Sequence, residues 1–352
     1  MSRATLLCLS SITLLACGRS DRSPAGDRKG TGSATAGSAA LTGAGATFPT
    51  PIYTKWFDAY ARETGVRINY QSIGSGGGIR QFTEGTVDFG ATDAPMTDDQ
   101  VAAVKGNVLH VPTVLGAVVA TYNLPALGKT SLRFDGATLA DIFFGRISRW
   151  NDRRLAALNP GVSLPDQDII VVHRSDGSGT TYIFTDYLSK VSADWKDKVG
   201  RATSVEWPAG LGGKGNEGVT QQVKQTEGAI GYVELIYAIS NGLPAALVKN
   251  ADGSFVEPNL KSVSAAASGA RLGASTDFRV SITNPPGRDS YPLSSFTWLL
   301  VHKENPDSAK ARTLHSFLIW MLQPEAQRMA ADLHYAPLPV SVIELLQGQL
   351  GS

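Results

Sequence analysis

From about residue 41 onward, apolar residues alternate between two spacings. Ile52, Trp56 and Tyr60 recur at helical intervals and Gly65 stands where a C-cap belongs, after which Val66, Ile68 and Tyr70 alternate as one face of a strand does. The glycine run Gly74-Ser75-Gly76-Gly77-Gly78 then leads into a helix start over 79–83. Val87-Asp88-Phe89-Gly90 reads as a short strand, and Thr97-Asp98-Asp99-Gln100 has the capping-box spacing that opens another helix. Farther on, 169–172 has the length and composition of a buried strand, 181–191 reads as a helix and 296–301 as a strand. The segment 307–322 reads as a long helix with Leu314, Phe317, Leu318 and Met321 on one face. Strands separated by helices predict an α/β fold. Trp56, Trp298 and Trp320 read as core.

The amino terminus has a different texture. Arg3 and the free amine form a small positive region, and 4–16 is uncharged, mostly apolar and too short to span a bilayer as a helix, which is the pattern of a signal peptide. It ends Leu14-Leu15-Ala16-Cys17-Gly18, which resembles the lipobox of bacterial lipoproteins and makes Cys17 the expected acylated residue. The two cysteines are Cys8 and Cys17, so no disulfide framework remains beyond Ala16, and stability must come from an ordinary core drawn from 42% hydrophobic residues. Residues 18–40 are rich in Gly, Ser, Ala and Thr, with scattered charges such as Arg19, Asp21, Arg28 and Lys29. Such a stretch cannot bury enough surface to offset its ordering entropy and reads as a tether. The expected layout is 1–16 signal peptide and 17–40 lipidated cysteine and flexible linker. Net charge is +1, which points away from nucleic acid and from a polybasic membrane surface. An anion site here has to be local.

Three segments share the design such a site requires. Gly43-Ala44-Gly45-Ala46-Thr47-Phe48-Pro49, Gly74-Ser75-Gly76-Gly77-Gly78 and Asp176-Gly177-Ser178-Gly179-Thr180 each place small residues at the start of a predicted helix. There the first backbone N–H groups lack intrahelical acceptors, the helix dipole favours negative charge, and Ser or Thr adds a hydroxyl donor. Singly, each is more often just a turn with an N-cap. Together, with Arg174 just upstream of the last, they predict an oxyanion site. Other motifs fall away. Gly210-Leu211-Gly212-Gly213-Lys214-Gly215 matches G-x-G-x-x-G but follows Trp207-Pro208-Ala209 where a dinucleotide fingerprint needs a buried strand, so it reads as a loop. Gly128-Lys129-Thr130 has Asn123 where a P-loop needs its first glycine. The five histidines are scattered, with no H-E-x-x-H, paired cysteines or G-x-S-x-G, so neither a metal, a cofactor nor a hydrolase elbow is expected.

Four strings carry a specific resemblance. Leu41-Thr42-Gly43-Ala44-Gly45-Ala46-Thr47-Phe48-Pro49, Val87-Asp88-Phe89-Gly90-Ala91-Thr92-Asp93-Ala94-Pro95, Arg174-Ser175-Asp176-Gly177-Ser178-Gly179-Thr180 and Gly210-Leu211-Gly212-Gly213-Lys214-Gly215-Asn216 resemble the phosphate-binding subunit of bacterial phosphate ABC importers. The likeness runs from about 41 to the Tyr335-Ala336-Pro337-Leu338-Pro339 segment. It implies a two-lobed α/β fold of the periplasmic-binding-protein type, with 41–112 and 291–352 as the first lobe, 113–290 as the second, crossing strands near Pro112 and Tyr291, and a ligand cleft between lobes.

The implied phosphate contacts fall on Thr47 (hydroxyl and N–H), the Phe48 N–H, the Ser75 hydroxyl and the Asp93 carboxylate in the first lobe. In the second they fall on Arg174, the Ser178 and Thr180 hydroxyls and the N–H groups of the turn through Gly179. Arg174 suits a bidentate, charge-assisted grip, with Asp176 orienting or partly neutralising it. Taken alone, Thr92-Asp93-Ala94-Pro95 reads as a turn aspartate. In the family's frame it discriminates, because a carboxylate tolerates an anion only if the ligand brings a proton, as phosphate does near neutral pH and sulfate does not. One departure is Gly76, where the family often has a second serine. The implied function is high-affinity phosphate capture outside the cytoplasmic membrane by a monomeric, lipid-anchored receptor facing the periplasm or cell exterior, with delivery to the importer's permease and ATPase subunits. The alternatives are a receptor for a sulfate-like oxyanion and an exported phosphatase, the latter lacking an evident base or metal beside Ser75 or Ser178.

Overall fold

The structure is a computed structural model that describes residues 40–128, 130–268, 277–304 and 307–351. The expected signal peptide, Cys17 and all of the linker except Ala40 lie outside the described residues, as does Lys129. Eleven strands are described: β1 Leu41–Gly45, β2 Ile68–Ser72, β3 Phe89–Thr92, β4 Val108–Tyr122, β5 Arg133–Phe134, β6 Ile170–Arg174, β7 Leu211–Gly213, β8 Ala229–Glu234, β9 Leu247–Lys249, β10 Phe255–Val256 and β11 Ser294–His302. Eight form one sheet in the order β2-β1-β3-β11-β4-β8-β6-β7, and β10-β9-β5 form a small second one.

Pairing divides the large sheet into two parallel patches. β1 runs parallel to β2 and β3, and β6 runs parallel to β7 and β8. Between them β4 and β11 are antiparallel to each other, β11 also to β3 and β4 to β8. The 15-residue β4 is buried along its whole length, pairing with β11 over Val108–Ala117 and with β8 over Val118–Tyr122. Periodicity did not reveal it. His110, Pro112, Thr113, Gly116 and Thr121 interrupt the apolar run, and Pro112 survives in a central strand because the register slips there: Thr297 faces Val114 and Trp298 faces Pro112. A bulge of this kind is where a sheet accepts a residue that cannot donate. The result is the two-lobed α/β architecture that the resemblance implied.

The first helix, Thr50–Thr64, buries Ile52, Trp56 and Tyr60 and ends at Gly65, whose φ of 76° lets its N–H reach the Ala61 carbonyl at 2.9 Å. The glycine run differs from expectation, since it forms the first turn of the helix Ser75–Thr83 rather than a loop before it. Space explains this: a Cβ on Gly78 would sit 2.5 Å from the Gly45 Cα, so only glycine lets the helix lie directly on β1. Thr97 and Gln100 form the expected capping box. Leu314, Phe317, Leu318 and Met321 face inward from the helix Ser308–Met321. Smaller corrections are that Val66 precedes β2, β3 starts two residues after Val87, and the G-x-G-x-x-G segment is the edge strand β7 followed by the helix Gly215–Gln225. Trp56 and Trp298 are fully buried, but Trp320 is at the rim, donating to Glu63 at 2.7 Å.

Candidate functional site

The three small-residue segments lie at the carboxyl ends of β1, β2 and β6, and β3 ends next to Asp93. After β1, the Ala46 N–H is tied to the Ala91 carbonyl at 2.9 Å, while the carbonyls of Thr47 and Phe48 accept from the Tyr237 and Tyr335 hydroxyls, each at 2.6 Å. With the carbonyls held on that side, the Thr47 and Phe48 amides meet no protein acceptor among the described residues, nor does the Thr180 amide in the first turn of the helix Gly179–Val191. Thr47, Phe48, Ser75, Asp93, Arg174, Ser178 and Thr180 are all at most 3% exposed. Buried backbone donors of this kind are uncommon and call for a partner.

Hydrogen bonds join these residues across the sheet. Ser75 Oγ accepts from the Asp93 N–H at 3.2 Å and from the Gly179 N–H at 3.0 Å, and the Gly76 N–H donates to the Gly177 carbonyl at 2.9 Å. A Cβ at Gly76 would come within 3.1 Å of the Gly177 Cα, so the glycine that replaces the family's serine keeps these two turns in close contact. Ser178 caps its helix, its Oγ accepting from the Thr181 N–H at 3.1 Å. Arg174 ends β6. Its Nε and Nη2 donate to Asp176 at 2.8 and 2.6 Å, and Nη1 lies 3.3 Å from Thr180 Oγ1. Asp176 thus takes one edge of the guanidinium and leaves the Nη1/Nη2 end, the second bidentate face, for another anion. Burial alone would raise the Asp176 carboxyl, but hydrogen bonds and charge from Arg174 and the Gly215 N–H hold it below its ordinary value, so it stays ionised.

Asp93 is the exception among these donors. It accepts from Thr297 Oγ1 at 2.8 Å and makes no ion pair among the described residues. Burial pushes its carboxyl up to about 7, against the opposing pull of the Thr297 hydroxyl, the Arg174 charge and Ser75. It is therefore poised to gain or lose a proton near neutrality. The arrangement can surround a small oxyanion with amides, hydroxyls and one guanidinium, and offer it one protonatable acceptor.

All eight predicted contact residues, with Asp176, lie in this cluster, while Cys17 lies outside the described residues. Sequence reasoning gave no role to Asn216, Thr297, Tyr237 or Tyr335, which the fold brings in. Asn216 had a signal, standing at the end of the Gly210–Asn216 string. The tyrosines and Thr297 had none. No group of three or more His, Cys, Asp or Glu that could hold a metal occurs among the described residues.

Comparison with known proteins bears on this geometry. A family model described as a PBP superfamily domain matches residues 30–325. A phosphate-binding protein PstS from Xylella fastidiosa (strain Temecula1) is 43% identical over 361 residues, covering 99% of this chain and 97% of its own. Among solved structures, a high affinity periplasmic phosphate-binding protein bound with phosphate aligns with a TM-score of 0.74 at 21% identity, over 88% of this chain and 93% of that one. A putative phosphate ABC transporter substrate-binding protein with bound phosphate from Clostridium perfringens aligns with a TM-score of 0.62 at 20% identity, over 86% and 100%.

Proposed function

This chain belongs to the PstS family of phosphate-binding proteins, and from that premise we propose that its buried cluster holds inorganic phosphate and passes it to an ABC importer. The observation that carries the reading is the gathering of acceptor-less amides at Thr47, Phe48 and Thr180 with the Arg174 guanidinium and the protonatable carboxylate of Asp93 in one buried cluster. Phosphate carries one or two protons near neutral pH and can satisfy both the donors and the lone acceptor. When Asp93 is ionised, sulfate leaves its oxygens facing an oxygen with nothing to donate.

On this reading Thr47, Phe48, Ser75, Asp93, Arg174, Ser178, Gly179 and Thr180 contact the ligand and Asp176 orients Arg174. The lobes 41–112 with 291–352 and 113–290 hinge on β4 and β11 and close over phosphate, which binds the closed state better than the open one. The receptor is exported as a monomer, held by a lipid on Cys17, and delivers phosphate to an importer made of permease and ATPase subunits. A receptor is favoured over a phosphatase because no histidine among the described residues hydrogen-bonds Ser75 or Ser178 and both accept backbone amides. Calorimetry with phosphate, arsenate and sulfate tests this. Tight phosphate and arsenate binding with little sulfate binding is expected, and absence of phosphate binding contradicts it. Release of the chromophore from a chromogenic phosphate ester would instead favour an enzyme.

A further inference from the structure

Asn216 is fully buried and its side chain hydrogen-bonds entirely within the protein. Its Nδ2 donates to Thr47 Oγ1 at 2.7 Å and to Thr180 Oγ1 at 3.2 Å, its Oδ1 accepts from the Glu234 N–H at 2.9 Å, and its own N–H lies 3.2 Å from Thr47 Oγ1. Both amide hydrogens are committed, so the side chain has none left for a ligand.

The consequence falls on the two threonines. A hydroxyl has two lone pairs and one hydrogen. Thr47 Oγ1 accepts twice, from the side chain and backbone of Asn216. Thr180 Oγ1 also accepts twice, from Asn216 and from Arg174 Nη1. With both lone pairs engaged, each hydroxyl can only donate. We propose that Asn216 is a positioning residue that fixes the Thr47 and Thr180 hydroxyls as donors toward the bound anion, and that it latches the closed form by linking one threonine from each side of the sheet. The proposal rests on the phosphate reading above and adds a specificity element to it. A site whose hydroxyls cannot turn to accept discriminates against ligands that are donor-rich and leaves Asp93 as the acceptor for a ligand proton. Thr47 follows β1, whereas Asn216 and Thr180 sit in helices beside β6 and β7. The Asn216–Thr47 contact therefore has to break whenever the two sides separate.

A double-mutant cycle on the full chain tests this. Phosphate affinity is measured by calorimetry for the parent, Asn216→Ala, Thr47→Val and the double variant, with thermal melts alongside. Asn216→Ala is expected to weaken phosphate binding by about tenfold to a hundredfold, as loss of charge-assisted hydrogen-bond geometry would. Because Asn216 acts through the Thr47 hydroxyl, the double variant should bind no more than about threefold worse than the weaker single variant. A structural role alone predicts that the two losses multiply. Asn216→Ala within twofold of the parent, or multiplying losses, overturns the proposal. If Asn216→Ala melts well below the parent, Asn216→Asp takes its place, since it keeps the volume but offers the threonines an acceptor. Charge repulsion by that aspartate would persist undiminished in Thr47→Val, whereas hydroxyl reorientation would not, so undiminished loss again overturns the proposal. A parent that does not bind phosphate refutes the functional reading itself, which is a separate result.

Discussion

Two aspartates are almost equally buried in this protein and have opposite electrostatics. Asp186, in the helix Gly179–Val191, is completely buried and accepts from Ser281 at 2.6 Å, Thr283 at 2.5 Å, Lys190 at 2.9 Å and Arg201 at 2.5 Å. Burial alone would raise its carboxyl, but two hydroxyls and two cations outweigh that and hold it below its ordinary value. Asp93 is 1% exposed, accepts from Thr297 and ion-pairs with no cation among the described residues, and is pushed up to about 7. Burial alone therefore does not set the state of a carboxylate. The difference lies in how fully the protein satisfies each: Asp186 is saturated by its own chain, whereas Asp93 is left with capacity that a ligand can use.

The comparison breaks first at Asp186. Asp186→Ala removes the buried charged acceptor shared by Ser281, Thr283, Lys190 and Arg201, and is expected to destabilise the fold by about 3–5 kcal/mol in urea titrations while leaving phosphate affinity of the folded protein within about threefold. A loss under about 1 kcal/mol would remove its structural role.

The second effect is the pH dependence of Asp93. Its carboxyl binds a proton more tightly when folded, near 7, than in its unperturbed state at 3.8, so it favours the fold most below about pH 4 and that contribution is lost as pH rises to 7. Asp93→Asn cannot titrate. In phosphate-free buffer the variant should gain stability relative to the parent between pH 4 and 8, by about 2–4 kcal/mol. A flat difference across that range would show that Asp93 is as well satisfied as Asp186.

How much of this contrast the sequence displays depends on how far away the partners lie. Local signals were readable: the Ile52, Trp56 and Tyr60 spacing, the Thr97 and Gln100 box, and the glycines before three helices all involve neighbours within a few residues. Arg174 and Asp176 are two apart and their pairing was expected. What separates Asp93 from Asp186 was invisible, because Thr297 is 204 residues from Asp93 and Ser281 is 95 from Asp186. Asn216 joins Thr47 across 169 residues, and no periodicity reports such a bond. β4 was missed for a related reason: a strand buried on both faces and bulged at Pro112 lacks alternation. The resemblance named residues that the fold gathers into one cluster, but not Asn216, Thr297, Tyr237 or Tyr335, which hydrogen-bond to them.

Two smaller effects sharpen the account. Arg174→Ala leaves hydroxyls and amides without a full counter-charge, and should weaken phosphate binding about tenfold to a hundredfold, or 1.5–3 kcal/mol for a charge-assisted pair. Calorimetry giving an affinity within twofold of the parent, with an unchanged melt, would exclude it from the site. Cys17→Ser should abolish acylation and alter processing without changing phosphate affinity at all. Mass spectrometry that recovers an acylated variant would refute the anchor.

The most direct test of the central claim is the ratio of phosphate to sulfate affinity in the parent and in Asp93→Asn, measured by competition titration at pH 8, where the parent carboxyl is mostly ionised. The ratio cancels general damage to the fold. The amide removes the negative charge and can offer an N–H to a fully deprotonated oxyanion, so sulfate should gain on phosphate by tenfold or more, the scale of one charge-assisted hydrogen bond, roughly 1.5–3 kcal/mol. An unchanged ratio would contradict the account, because Asp93 would then not be the group that tells the two anions apart.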